Sequence, residues 1–171
     1  QIRTNTTIYK GTSLEEVEQL FVLLSRIDVD GIMVAPAFSY EAVNDDVFLS
    51  RNEIIDSFQP IDELRKRFHF YNTPIYLDFL AGKRELRCTP WSNPTRNPKG
   101  WKRPCYFITD GHCQSFRELM GETHWEKYGV GNDARCSNCM VHCGFEASAI
   151  DEVSKNLSDL WRTIRWNFLG G

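Results

Sequence analysis

The chain has 171 residues, 42% of them hydrophobic and 25% charged, with a net charge of −3. Those proportions suit one ordinary domain or two small units sharing an interface, and they exclude a disordered or fibrous chain. The faintly acidic balance gives no global case for nucleic acid as a partner, and no apolar run is long enough to span a bilayer.

In chain order, the first half has the rhythm of an α/β repeat. Thr6 to Tyr9 is β-rich and runs into a turn at Gly11. Ser13 and Glu16 form a capping box, after which Leu14, Val17, Leu20, Phe21, Leu24 and Ile27 recur at helical spacing. Gly31 to Phe38 is nearly all apolar, as expected of a strand buried on both faces. A polar, loop-like stretch over 39–50 leads to a second helix carrying Ile54, Ile55, Phe58, Ile61, Leu64 and Phe68, which Pro60 is expected to break or restart. Strand, helix, strand, helix implies parallel pairing through right-handed crossovers. Two strands leave an edge bare, and the chain opens with Gln1 already in strand-like sequence. A piece of a longer protein is therefore expected, with residues 1–72 the last βα units of a partial (β/α) barrel.

The second half changes texture. Thr73 and Pro74 open a short helix that stops near Gly82. Cys88 to Cys105 is rich in Pro, Asn, Gly, Trp and basic residues and shows no periodicity. Ser115 and Glu118 cap a helix containing Phe116, Leu119 and Met120. Ser148 is expected to open one long amphipathic helix through Ile150, Val153, Leu157, Leu160, Ile164 and Phe168. Residues 73–171 thus read as a loop-rich, cysteine-rich α-helical extension.

Five of the six cysteines fall into one pattern. Cys88 is followed by eleven residues, Gly100, four residues and Cys105; then come Cys136, Cys139 and Cys143 as C-x2-C-x3-C. Two thiol groups in irregular sequence predict one soft-metal site, because thiolates are the ligands that iron–sulfur clusters and zinc select, and a metal would order segments with little apolar burial. Cys88, Cys105, Cys136 and Cys139 are the expected ligands, with Cys143 able to replace either member of the C-x2-C pair. Spacing alone leaves iron–sulfur and zinc both open. Arg96, Lys99, Lys102 and Arg103 lie between the first two thiols, where cations would stabilise an anionic cluster, although a solvated basic loop is the plainer reading. Cys113 reads as a buried structural thiol and His142 as an ordinary histidine. Trp91, Trp101, Trp125, Tyr106 and Phe145 surround the thiols in sequence, as an apolar shell or as simple packing. Three disulfides are the alternative use of six cysteines, but the chain is not disulfide-dense and carries no recognisable secretory signal, so reduced thiols and a cytoplasmic location are expected.

The stretches CTPWSNPTRNPKGWKRPCY, FRELMGETHWEKYG and CSNCMVHCGFEASAI, with NTTIYKG and GIMVAPAFSYE upstream, resemble the C-terminal region of the hopanoid-biosynthesis radical S-adenosylmethionine family, the adenosyl-hopene transferases. The resemblance extends from Thr4 to about Ile150. It implies a radical transferase that cleaves S-adenosylmethionine at a [4Fe–4S] cluster and adds the 5′-deoxyadenosyl radical to the alkene of a hopene. It further implies an apolar isoprenoid substrate and a reductant protein of flavodoxin or ferredoxin type. A membrane-derived substrate raises peripheral membrane contact, for which Trp161, Trp166 and Phe168 near the chain's end are candidates, although packing against the barrel or a missing segment is the plainer reading. The cysteine layout also resembles the auxiliary-cluster domains, of SPASM and Twitch type, that follow many such barrels. The family's radical-generating C-x3-C-x2-C does not occur in these residues; the triplet present has the reversed order. By analogy with such barrels, Asn5 and Thr6 on the first strand and Ser39 and Tyr40 after the second are candidate cofactor contacts. Competing readings are a non-catalytic iron–sulfur or zinc module and a thiol redox protein using Cys136 and Cys139, for which no preceding strand is evident.

Overall fold

The computed structural model describes residues 1–39 and 46–169. β1 (Arg3–Ile8) and β2 (Gly31–Pro36) pair in parallel, with Arg3 opposite Gly31 and Ile8 opposite Pro36, and α1 (Leu14–Arg26) makes the crossover. α1 starts at the capping box read from the sequence: the Glu16 N–H donates to Ser13 Oγ at 3.2 Å, and the Ser13 N–H donates back to the Glu16 carboxylate at 2.8 Å. On the far side of β2, the Ile32 N–H donates to the His69 carbonyl at 3.0 Å and the Tyr71 N–H to the Ile32 carbonyl at 2.8 Å. β2 therefore has backbone partners on both sides, which accounts for its unbroken apolar run. β1 has exposed and half-buried side chains in alternation, as a strand with one open side should.

α2 (Arg51–Glu63) opens on a second capping box, Ser50 with Glu53, which repeats the Ser13–Glu16 signature at the end of the stretch expected to be loop. Pro60 does not break the helix, contrary to expectation. The carbonyl that loses its donor belongs to Asp56, on the exposed side of α2, where water can take the place of the missing N–H. α3 (Pro74–Leu80) begins as predicted, with Thr73 Oγ1 accepting from the Tyr76 N–H at 3.2 Å, and it is buried along its whole length.

The cysteine-rich half corrects two expectations. Its irregular-looking first segment contains β3 (Arg96–Asn97) and β4 (Gly100–Pro104), which with β5 (Thr109–Cys113) form a three-stranded antiparallel sheet. Strands of two to five residues are too short to show a period. Gly100 lies at the turn with φ 129°, and a Cβ there would stand 2.6 Å from the Cys113 carbonyl oxygen, so only glycine fits. α4 (Phe116–Glu122) follows, capped by Ser115 as expected. The single long terminal helix is two, α5 (His142–Lys155) and α6 (Leu157–Leu169). The first starts six residues before Ser148. The break falls at Asn156, whose backbone is extended and whose side-chain oxygen accepts from the Ser158 N–H at 2.9 Å, the geometry of an N-cap for α6.

One cluster of buried side chains runs through both halves, joining Phe21, Phe58 and Phe70 to Tyr76, Phe79, Phe145 and Trp166. Phe79 of α3 stacks on Phe145 of α5 with ring centroids 4.5 Å apart. Beneath α3, Asp78 pairs with Arg65 and Arg162, while Asp62 pairs with Arg65 and Lys83, so that α2, α3 and α6 share one ion network. The fold is mixed helix and strand with two small sheets, and no closed barrel is formed among the described residues. Within those residues no helix is long and apolar enough to cross a membrane.

Candidate metal centre

Five thiols reach one place from five local settings. Cys88 follows α3 on the chain entering Pro90, Cys105 lies in the β4–β5 turn, Cys136 ends a single 3₁₀ turn, Cys139 is in the loop beyond it, and Cys143 occupies the first turn of α5. All five line one cavity of about 30 Å³, whose other walls are mainly apolar, among them Pro104, Phe107, Ile108, Val130 and Phe145. That volume exceeds the ~10–15 Å³ that one water needs. Among the described residues no three Cys, His, Asp or Glu side chains form a ready-made site for a metal ion. The thiols ring a space rather than closing on a point.

Backbone bonds lock two of the segments together. The Thr89 N–H and hydroxyl both donate to the Gly144 carbonyl, at 3.1 and 2.7 Å, and the Ser92 hydroxyl donates to the Cys143 carbonyl at 3.1 Å. Gly144 is what permits this approach, because a Cβ at that position would lie 2.4 Å from Cys88 Sγ. Asn138, inside the C-x2-C, accepts from the Arg51 N–H at 3.2 Å and so ties the loop to the start of α2. Three residues beyond Cys143, the half-buried Glu146 carboxylate accepts from Asn72 Nδ2 at 2.9 Å and from the Thr73 hydroxyl at 2.7 Å, while Asn72 Oδ1 accepts from the Val34 N–H of β2 at 2.7 Å. A continuous polar chain thus fixes α5, and with it Cys143, against the parallel sheet.

Burial favours the protonated form of four of these thiols, Cys88, Cys136, Cys139 and Cys143. Burial, reinforced by repulsion from the neighbouring thiols of Cys143, Cys105 and Cys136, pushes Cys88 up to about 12. Burial likewise raises Cys143 to about 12, moves Cys139 well above the ordinary thiol value, and raises Cys136. Four backbone groups act in the opposite sense: hydrogen bonds from Gly129 to Cys136, from Val141 to Cys139, and from Gly144 and Cys143 itself to the Cys143 sulfur favour the thiolates. Backbone N–H groups directed at sulfur are the donors that stabilise metal-bound thiolate.

Several residues went unnoticed in the sequence. Arg135 is the cation at the cavity, held by two bonds to Asp110 at 2.6 and 2.9 Å and by Asp133 at 2.7 Å. Its signal was adjacency to Cys136. Arg96, Lys99, Lys102 and Arg103 line no part of the cavity; Lys102 donates to the Tyr106 carbonyl at 2.6 Å. Gly129 and Gly131, both at positive φ, turn the chain toward the C-x2-C, and the G-x-G that encodes this was legible.

Cys113 is fully buried in β5 and lines no part of the cavity. All six cysteines are free. Of the predicted aromatic shell, Tyr106 and Phe145 line the cavity. Trp91 and Trp125 meet edge-to-face at 6.0 Å over a cleft of about 840 Å³ outside Cys88, and Trp101 packs on Phe116 instead. Asn5 faces a second cleft, of about 460 Å³, that reaches His142 and Cys143. Thr6 points to the other side of β1, since successive strand residues alternate. Ser39 lines a separate cleft beside Ser50 and Arg135, and Tyr40 lies outside the described residues. His142 carries a buried Nδ1 without a hydrogen-bond partner, and burial lowers its pKa.

No curated protein and no solved structure matches the chain. A family model described as "Domain of unknown function (DUF3463)" matches residues 32–163, a span that includes all five thiols and most of α6. The chain belongs to the DUF3463 family.

Proposed function

We propose that Cys88, Cys105, Cys136, Cys139 and Cys143 supply the ligands of a [4Fe–4S] cluster, and that the chain is the C-terminal part of a radical S-adenosylmethionine transferase resembling the adenosyl-hopene transferases. The observation that carries the reading is the gathering of five half-buried thiols, distant in sequence, around one mainly apolar cavity. The donor set fits the group: soft ligands, inward N–H donors at three sulfurs, one anchored cation in Arg135, and a wall that keeps water away. Bound there, a cluster supplies one-electron chemistry or an open iron for a ligand. With five thiols for four irons, one cysteine is spare, and the C-x2-C-x3-C triplet holds the redundancy.

A structural zinc site is the second reading. Tetrahedral zinc with Zn–S near 2.3 Å brings its sulfurs to within about 3.8 Å of one another.

The parallel β1–β2 pair, its extension at Phe70 and the α1 crossover support the last units of a partial (β/α) barrel. In that reading the radical-generating cluster belongs to a C-x3-C-x2-C sequence outside these residues. S-adenosylmethionine and an apolar isoprenoid such as a hopene bind on the barrel side, where Asn5 looks toward Cys143, and a flavodoxin- or ferredoxin-type protein supplies electrons.

The test is a difference measurement. Anaerobically reconstituted protein is compared with its Cys88→Ala/Cys139→Ala variant, and the variant is expected to lose about four irons and four sulfides per chain. Near-stoichiometric zinc without sulfide selects the zinc site instead. Formation of 5′-deoxyadenosine from S-adenosylmethionine and a reductant, measured on the longer protein that carries the C-x3-C-x2-C sequence, tests the enzymatic half; a longer protein that lacks this sequence, or that is fully loaded and forms none, overturns that half.

A further inference from the structure

α6 is turned the wrong way round for a helix on a water-soluble domain. Its buried residues, Asp159, Thr163 and Trp166, form one side; Asp159 pairs with Arg84 at 2.8 Å, and Trp166 donates through Nε1 to the Asn72 carbonyl at 3.1 Å. The opposite side carries Leu157, Leu160, Trp161, Ile164 and Phe168. At 100° per residue these five fall within one outward sector of about 100°. Leu157 is 76% exposed, Trp161 70% and Phe168 82%. The stripe is about 16 Å long at 1.5 Å per residue. Leaving five large apolar groups in one strip in water costs free energy unless something covers it.

We propose that this face of α6 lies in the interfacial layer of an anionic lipid membrane. Three features select lipid over a protein partner. The outward sector contains no acidic residue, and the charged side chains bordering it are Arg165 and Arg162, the latter anchored to Asp78 at 2.9 Å. A helix with aromatic and aliphatic residues on one face and arginines beside it is the composition of an interfacial anchor, the cations meeting lipid phosphates while the rings sit at headgroup depth. The two most exposed rings, Trp161 and Phe168, are seven residues apart on the same line, so both enter a planar surface together. A strip one helix wide also falls well short of the ~800 Å² per partner of a stable protein interface. The anchoring stands on α6 alone and does not depend on the metal centre.

The test is flotation of the protein with extruded vesicles of phosphatidylcholine, alone or mixed with phosphatidylglycerol. Wild type is expected to float with the anionic vesicles. Trp161→Glu/Phe168→Glu should weaken that binding by at least about tenfold, and Arg165→Glu by a smaller factor that vanishes at high salt. Since these side chains face outward, the far-ultraviolet spectrum and melting temperature of each variant should match wild type, so loss of flotation cannot be misfolding. Wild type that stays unbound, or flotation that survives the double substitution, overturns the proposal. So does a wild-type dimer that the double substitution splits into monomers, which would make a second copy the cover.

Discussion

Gly144 concentrates the chemistry of the site into one missing methyl group. Its carbonyl accepts two bonds from Thr89, and its α-carbon leaves room for Cys88 Sγ. Gly144→Ala should be tolerated by the helix, where alanine is the better former, because the thiol is a small group that can rotate aside. Under the cluster proposal, that rotation withdraws the Cys88 ligand. Iron content is expected to fall as far as in Cys88→Ala, while the urea midpoint stays within about 0.5 kcal/mol of wild type or rises; full iron in Gly144→Ala would show that Cys88 is not a ligand. Cys113→Ala is the matching control and should keep its iron.

Glu146 makes the second argument at this scale. Burial raises its pKa, and the hydrogen bonds from Thr73 and Asn72 only partly oppose this. A carboxyl with a folded-state pKa above its unfolded value favours the fold at low pH, and that contribution is lost as pH rises through the folded value. Glu146→Gln keeps one acceptor oxygen for Asn72 and turns its NH2 toward the Thr73 hydroxyl, which can accept, without the charge, so its stability relative to wild type should improve as pH rises from about 4 to 7. Glu146→Ala leaves those donors unpaired in the interior and should cost about 2 kcal/mol at any pH in that range. Urea denaturation of the three proteins as a function of pH checks both; parallel curves for wild type and Glu146→Gln would rule out the raised pKa.

At the scale of elements, helix starts were legible wherever a side chain signs them. Ser13, Thr73 and Ser115 were read correctly from local sequence, because an N-cap acts over three residues. Ser50 and Asn156 carry comparable signals, but a polar loop beside the first and a strong hydrophobic period around the second mask them. Pro60 failed in the other direction. A mid-helix proline costs little where the orphaned carbonyl faces water and neighbouring turns hold the helix, and here Ile54, Phe58 and Ile61 anchor α2 on both sides of it. The residual cost should still be measurable. Pro60→Ala is expected to raise the unfolding free energy by about 1 kcal/mol or more, read from the urea midpoint, with α2 unchanged in its protection from hydrogen exchange.

At the scale of the whole molecule, the ion network around Asp78 and the thiol centre divide the work of joining the two halves. Burial alone would raise Asp78, but the hydrogen bonds and charges of Arg162 and Arg65 outweigh it and hold the carboxyl below its ordinary value. Its contribution is present above the unfolded pKa and is lost as pH falls through the folded one. Hydrogen exchange after chelation tests the division. Removing the metal should leave α1, α2 and α3 protected, because their core is aromatic and aliphatic, and should expose β3 to β5 and the loop carrying Cys136 and Cys139, which bury few apolar side chains. Uniform loss of protection would mean that the centre holds the whole fold.

The sequence by itself determined the parallel βαβ start, most of the capped helices and the spacing of the cysteines, because capping, strand burial and residue spacing are properties of residue types at short range. Only the tertiary structure decided that Cys143 joins the other four, that Arg135 rather than the basic loop supplies the cation, and that α6 presents its apolar side outward. Each of those depends on which elements lie against one another. A helical period in the sequence reveals that a helix has an apolar face, but where that face points is fixed by the ion pairs and the tryptophan hydrogen bond that clamp its polar side inward.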